Sequence, residues 1–139
     1  MIEGWHNDEY LVYFDTASEA ARMTDDYGVR DLFPGLTVVG LRGWDDFILI
    51  DENQRYFTAP TVPLDPKYLA PYGVSVNLAA IKPDKRFTDK IKWYVKPLVF
   101  GGDPKANENM VWISHSQHVE AVNWWNKQYR EVAAKSKNA

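Results

Sequence analysis

The chain of 139 residues contains no cysteine. Disulfide bridges and thiolate-ligated metal sites are therefore excluded, so the fold must be stabilised by packing and hydrogen bonds. A chain of this length is about the size of one domain and buries roughly two thirds of its unfolded surface, which is enough for an independent core. We accordingly expect a single domain over residues 1–139.

Long hydrophobic runs are also missing. The longest apolar stretches, such as residues 47–50, are far shorter than the roughly 20 residues that cross a bilayer. The first ten residues, MIEGWHNDEY, do not combine a basic segment with an apolar one as a signal peptide does. These absences predict a cytoplasmic protein with no membrane partner.

Lysine is absent from the first half of the sequence. Residues 1–65 contain 13 Asp and Glu against 4 Arg, whereas residues 66–139 contain 6 acidic residues against 12 Lys and Arg. This division favours electrostatic steering toward a charged partner, although the solvated faces of an ordinary domain can give the same count. Aromatic residues, in contrast, are abundant at 14%, and Trp and Tyr are favoured at interfaces as well as in cores.

The first half alternates β-rich segments with one helical pattern. Thr16 and Glu19 have capping-box spacing, which predicts a helix from there to about Thr24. The β-branched and aromatic residues predict strands at residues 10–14, 36–39, 46–51 and 55–58. The last two are expected to form a hairpin within an antiparallel meander.

The second half is less regular. Five prolines between Pro60 and Pro83 predict irregular structure with at most a short helix near residues 74–81. Extended structure is expected at residues 91–95 and 97–100, and a further strand at residues 110–113. Ser114 then caps the longest helical pattern, residues 116–134. Its inward face is expected to contain His118, Ala121, Val122, Trp125, Tyr129, Val132 and Ala133.

Taken together, these elements predict an α+β fold. We expect a twisted, largely antiparallel sheet flanked by helices. The long C-terminal helix should pack on this sheet through Val122, Trp125 and Tyr129, which share one helical face.

Residue patterns that carry chemistry are sparse. His115 and His118 have the spacing of two ligands on one metal, but no cysteine or well-placed acid completes a set. There is no serine nucleophile elbow, and adjacent acids such as Asp45 and Asp46 are expected to point to opposite sides of an extended chain, which does not suit an acid–base pair. We therefore expect no catalytic residue, no cofactor and no metal. A ligand-binding or enzymatic cleft near His115, His118 and Trp124 is the alternative.

A basic stretch raises a nucleic-acid alternative. Between residues 82 and 96, Lys and Arg side chains alternate with Phe87, Trp93 and Tyr94, an arrangement that can bind single strands. The acidic first half and the isoelectric point of about 5.6 would repel phosphates. A protein partner is therefore favoured over nucleic acid.

Three motifs follow one another in the first half of the chain. They are a helix start at Ser18-Glu19, a run from Pro34 to Gly40, and a turn at Gly43 that leads into a strand ending at Asp51. In this order they resemble the SUKH superfamily, which includes fungal cell-wall-synthesis regulators and bacterial toxin-immunity proteins. The usual N-terminal helix of that family is missing here, and its glycine cluster is reduced.

A second block is similar to a C-terminal extension of bacterial SUKH members. It comprises residues 97–109 and then residues 118–126. The resemblance implies a helix-flanked antiparallel sheet and a non-enzymatic protein that binds a cognate toxin, such as a basic nuclease. We expect a monomer or weak homodimer. A phage- or genome-encoded structural or accessory module is the alternative function.

The predicted binding surface is acidic and aromatic. The turn between the second and third predicted strands should project from the sheet edge, with a Trp anchor flanked by carboxylates that face a basic partner. The Trp of such a turn can alternatively be a packed lid. The end of the first helix is expected to extend this surface. The predicted partner-binding residues are Trp44, Asp45, Asp46, Asp25, Asp26 and Tyr27.

Overall fold

The computed structural model describes residues 1–43, 45–73 and 77–137. The strands are β1 (Ile2–His6), β2 (Glu9–Tyr13), β3 (Thr37–Arg42), β4 (Asp46–Ile50), β5 (Tyr56–Pro60), β6 (Ala70–Pro71), β7 (Ile91–Tyr94) and β8 (Met110–Ile113). The helices are α1 (Ala17–Asp26), α2 (Val29–Leu32) and α3 (His115–Lys137). Short 3-10 turns lie at Pro66–Tyr68, Leu78–Ala80, Lys85–Phe87, Leu98–Phe100 and Asn107–Asn109.

Two antiparallel sheets organise the chain. Strands β1 to β6 form one sheet in sequence order, and β7 pairs with β8 in a second sheet. The predicted α+β fold, with its antiparallel meander and long C-terminal helix, is confirmed. The acidic residues 1–65 build most of the larger sheet and α1, whereas the basic residues 66–139 build the smaller sheet and α3.

Strand β1 was not predicted from the sequence. It forms a hairpin with β2 in which His6 pairs with Glu9, so that Asn7 and Asp8 make a two-residue turn. Asn7 has a φ of 54°, in the left-handed region that Asn tolerates better than most residues. The Asn-Asp pair is therefore the local signal that favours this hairpin.

Helix α1 begins as its capping box predicts. The Thr16 side chain accepts a hydrogen bond from the backbone N–H of Glu19 at 3.1 Å. The helix ends at Asp26, two residues beyond the predicted end. Near this end the Thr24 hydroxyl donates to the Ala20 carbonyl at 2.7 Å and accepts the N–H of Val38 at 2.9 Å. Thr24 thereby ties the last turn of α1 to the beginning of β3.

Helix α3 begins one residue before the expected start. Ser114 and Gln117 cap it reciprocally, at 3.3 Å and 2.9 Å. Val122 is fully buried and Trp125 partly buried, but Val132, expected to face inward, is 55% exposed. The reason is length, since 23 residues of helix extend about 35 Å and a five-residue strand only about 17 Å. The helix is therefore about twice as long as the strands, and Val132 lies near its C-terminal end.

Residues 97–100 were expected to be extended and instead form a 3-10 turn. Pro97 precedes this turn, and Gly101 closes it with a φ of 89° and an N–H that donates to Leu98. A left-handed glycine at this position permits the chain to reverse where an extended segment would continue. The short helix predicted near residues 74–81 corresponds to the 3-10 turn at Leu78–Ala80, while residues 74–76 lie outside the described residues.

The main core lies on one face of the larger sheet. Alternate residues of the strands, such as Tyr10 and Val12 of β2, point into it. They pack against α1, β7 and the buried Val122 of α3. A smaller cluster on the other face comprises Leu11, Ile48, Tyr72 and Ile81.

Candidate functional site: an acidic cleft between the two sheets

The predicted binding residues do not form one continuous surface. Asp25 and Asp26 are exposed at the end of α1, next to the Thr24 contact with Val38 at the start of β3. Asp46 pairs with Arg42, at the end of β3. Four residues of strand separate these ends, about 13 Å at roughly 3.3 Å per residue. Trp44, the predicted aromatic anchor, lies outside the described residues.

The two α1 acids also have contacts within the chain. Asp25 forms an ion pair with Arg30 at 2.5 Å. The backbone carbonyl of Asp26 accepts a hydrogen bond from the Asn123 side chain at 2.7 Å. These contacts hold the end of α1 against α2 and α3, so this part of the predicted surface already contributes to the fold.

Tyr27 is a core residue, contrary to the expectation that it extends the acidic surface. It is only 1% exposed, and its ring packs edge-to-face on Phe47 at 4.8 Å. Its hydroxyl lies 2.7 Å from His118 Nδ1 and 3.1 Å from His115 Nε2. One ring accepts the hydroxyl proton, and the other donates its N–H to the hydroxyl oxygen. Tyr27 thus joins α1 to the start of α3.

The two histidines therefore share a tyrosine instead of facing a common metal. Burial raises the pKa of Tyr27 and lowers the pKa of His118 to about 3, so both groups are neutral at physiological pH. His118 packs edge-to-face on Trp93 at 5.2 Å, and its Nε2 has no hydrogen-bond partner among the described residues. Across that part of the chain no group of three or more His, Asp or Glu could hold a metal ion.

Asp45 and Asp46 line a cleft of about 260 Å³ between the two sheets. One wall is formed by these two acids and by the loop that follows β5, and β4 and β5 meet here because Asp46 pairs with Pro60. The opposite wall is formed by β7 and the 3-10 turn after it. Apart from Asp45, Asp46, Thr61, Lys92 and Tyr94, the lining is apolar and consists of Pro60, Val62, Pro63, Trp93, Pro97, Leu98 and Val99.

Asn126 of α3 holds the loop wall of the cleft in place. Its side-chain amide donates to the Thr61 carbonyl at 2.8 Å and accepts the N–H of Leu64 at 2.9 Å. Thr61 in turn donates its N–H and its hydroxyl to the Asp45 carbonyl, at 2.9 Å and 3.1 Å. A buried helical residue therefore sets the position of the loop and of the first acid.

Asn109 holds the chain that leads into the opposite wall. Its side chain accepts the N–H of Lys96 at 2.8 Å and donates to the Lys96 carbonyl at 3.1 Å. Its backbone carbonyl also accepts the N–H of Val95. The segment between β7 and the 3-10 turn is therefore fixed by hydrogen bonds on both sides of Lys96.

The electrostatics of the cleft leave negative charge uncompensated. Asp45 stands exposed at the cleft, yet neighbouring atoms displace part of its hydration and Asp46 repels it, which raises the pKa of Asp45 to about 6. The pKa of Asp46 is also raised, first by burial. Lys92 and Arg42 lower the pKa of Asp45, and Arg42 lowers that of Asp46, but these effects are smaller than the increases. Arg42 is also bound by both carboxylate oxygens of Glu9.

Neither carboxylate forms an ion pair within 4 Å among the residues that the structure describes. Sequence reasoning found Asp45 and Asp46 but missed the cleft itself. Lys92, Trp93 and the turn after them are more than 45 residues away in the chain, and no local pattern links them to the acids. Asn126 did leave a signal, because it lies one helical turn after the inward-facing Val122.

Comparison of the chain with protein-family models, with curated proteins and with solved structures finds no match. Among the described residues, no helix has the length and apolar character needed to cross a membrane. The function must therefore be inferred from the cleft and from the residues around it.

Proposed function

We propose that this chain is a non-enzymatic protein-binding domain of the immunity type, related to the SUKH superfamily. In this proposal it acts in the bacterial cytoplasm, where it binds a cognate toxin with a basic surface and blocks its activity. The observation that carries the proposal is the cleft, which combines an apolar lining with the carboxylates of Asp45 and Asp46.

The charge distribution supports a basic partner. Most of the larger sheet is built from the acidic half of the sequence. Loss of hydration raises the pKa values of its cleft acids by more than the nearby Lys92 and Arg42 offset. A cationic surface would remove this repulsion on binding, and complementary potentials also increase the rate of association. Nucleic acid, with its phosphates, is disfavoured by the same potential.

An enzymatic role near His115 and His118 has less support. His118 is fully buried, and its Nδ1 is hydrogen-bonded to Tyr27. A general base must reach a substrate proton within hydrogen-bond distance, directly or through one water. In this geometry His118 Nδ1 and His115 Nε2 bond to Tyr27 and join α1 to α3, so the proposal assigns these two atoms a structural role.

A growth assay tests the proposal. The product of the gene directly upstream is expressed in a bacterial host with and without this chain, and growth is recorded. We expect the wild-type chain to restore growth and the Asp45→Asn/Asp46→Asn variant to fail. The matched control is Asp8→Asn/Glu52→Gln, which removes the same charge from exposed turns of the acidic half and should still restore growth.

Two results would contradict this function. The first is that the upstream product inhibits growth and purified wild-type chain neither binds nor neutralises it. The second is an upstream gene for a capsid or tail protein that forms a stable complex with this chain, which would favour the alternative of a structural or accessory module.

A further inference from the structure

The size of the cleft limits what it can hold. Its volume of about 260 Å³ lies below the roughly 300–1,000 Å³ of pockets that enclose drug-sized ligands. A single long side chain of a partner therefore fits the space better than a whole small molecule. The apolar lining on both walls would cover the aliphatic stem of such a side chain.

The charged residues of the cleft indicate which sign of charge its occupant should carry. Three charged residues line the cleft, Asp45, Asp46 and Lys92. Asp46 is also influenced by Arg42 and Glu9, whose opposite charges form an ion pair with each other. Lys92 itself lies 5.5 Å from the centre of the Tyr94 ring. At neutral pH the three charged side chains sum to one negative charge, which one monovalent cation neutralises.

The shape of the cation follows from the walls. Tyr94 and several prolines line the cleft beside the two acids. Flat side chains of this kind suit a planar guanidinium, whose forked N–H groups can donate to two neighbouring carboxylates. An ammonium group is compact and strongly hydrated, so it gains less from such walls. Arg42, which influences both acids, is already bound to Glu9.

We propose that the cleft receives the side chain of one arginine from an apolar segment of the partner protein, with its guanidinium on Asp45 and Asp46. This inference rests on the proposed function, because it identifies the group of the toxin that the immunity-type surface recognises. It also specifies a ligand chemistry that can be tested without the toxin.

A peptide titration tests the specificity. The peptides acetyl-Leu-Arg-Leu-amide and acetyl-Leu-citrulline-Leu-amide differ in charge but hardly in shape, and NMR follows the amide signals of the wild-type chain. We expect signals of Thr61, Val62 and Trp93 to shift, and the arginine peptide to bind at least about tenfold more tightly, as is typical of a charge-assisted hydrogen bond. A lysine peptide should bind more weakly than the arginine peptide.

Matched variants locate the effect. Asp45→Asn/Asp46→Asn should lower the affinity for the arginine peptide by about tenfold or more, to that of the citrulline peptide. Asp8→Asn/Glu52→Gln removes the same charge elsewhere and should leave the affinity unchanged. Thermal melts of both variants establish that they are folded.

The pH dependence gives a second readout. Asp45 is influenced by Asp46, Lys92 and Arg42, and Tyr94 in turn is influenced by Asp45. Because burial and Asp46 raise the pKa of Asp45 to about 6, its charge is lost as the pH falls from about 7.5 to about 5. Affinity for the arginine peptide should fall over this range, whereas the citrulline peptide should show little change.

Failure of this inference is distinct from failure of the proposed function. Equal affinity for the arginine, lysine and citrulline peptides, or no shift of cleft signals at up to about 20 mM peptide, would overturn the arginine site even if the chain neutralises a toxin. Arginine-selective binding that depends on Asp45 and Asp46 would uphold the site even if the chain neutralises none.

Discussion

The Tyr27–His118 pair in the core and the Asp45–Asp46 pair at the cleft both contain titratable groups with shifted pKa values, and removal from water is the main cause in each. The difference lies in where their partners come from. Tyr27 and His118 bond to each other at 2.7 Å inside the chain. The cleft acids form no ion pair within 4 Å among the described residues.

This difference separates a structural site from a binding site. The core pair stays neutral and its shared hydrogen bond lies inside the chain, so this bond contributes to the stability of the fold. The cleft pair keeps charge that is only partly solvated and only partly compensated, which is a cost in the free chain that a cationic partner removes. Each prediction below concerns one side of this comparison.

The largest effect is expected at Tyr27. Tyr27→Ala should lower the free energy of unfolding by about 3–5 kcal/mol, because it removes a buried ring and both of its hydrogen bonds to the histidines. Tyr27→Phe keeps the ring and should cost about 1–3 kcal/mol, the penalty of unsatisfied buried groups. Urea denaturation measures both values. A loss below about 1 kcal/mol for Tyr27→Ala would show that the core pair is not structural.

Acid should destabilise the protein through His118. Burial lowers the pKa of His118 to about 3 in the folded state, so between about pH 6.5 and that value only the unfolded state binds the proton. Stability is therefore complete above about pH 6.5 and should fall by about 3 kcal/mol on acidification to about pH 4. Urea denaturation at several pH values in this range gives the free energy of unfolding as a function of pH. This free energy should fall less steeply with acidification for His118→Gln than for wild type, and an equal fall in both proteins would contradict the assignment.

Asn126 connects the two sides of the comparison. Asn126→Ala should cost about 1–3 kcal/mol, because the Thr61 carbonyl and the Leu64 N–H lose their partner in the interior. It should also weaken binding at the cleft, since Thr61 positions Asp45. Asn123→Ala is the control, because Asn123 is exposed and its side chain donates to the Asp26 carbonyl at the surface. Equal losses of unfolding free energy in the two variants would refute the special role of Asn126.

The smallest effect on stability is expected at the cleft acids. Asp45→Asn/Asp46→Asn should raise the free energy of unfolding at neutral pH by at most about 1 kcal/mol. The raised pKa values mean that the fold disfavours the charged forms, and the exposure of Asp45 screens this effect. The expected combination is therefore intact stability with impaired binding. Marked destabilisation, measured by thermal denaturation, would instead make the pair structural.

Local patterns in the sequence were sufficient for much of the fold. The Thr16 cap of α1, the strands of the first half and the Ser114 cap of α3 depend on neighbours within a few residues, and the structure confirms them. Strand β1 had a local signal too, the Asn7-Asp8 turn. The prediction of extended structure for residues 97–100 was wrong. Their apolar composition favours a strand, but Gly101 closes a 3-10 turn there.

The candidate site was predictable only in part. Asp45 and Asp46 stood out as acids in a turn between strands, but their neighbours Lys92 and Trp93 approach from a separate sheet. Tyr27 looked like a surface residue because two exposed acids precede it in sequence. Its ring nevertheless points into the core, because the chain turns at the end of α1, where the exposed Asp26 is followed directly by the buried Tyr27.

The sequence by itself determined the α+β class, the antiparallel meander of β3 to β5 and the division into an acidic and a basic half, because these depend on composition and short-range spacing. Only the tertiary structure decided that Tyr27 meets His118 and that Asp45 faces Lys92 across a cleft. Those contacts join residues 91 and 47 positions apart in the chain. They exist because burial of apolar surface packs α3 and β7 against the sheet, and such packing has no local signature.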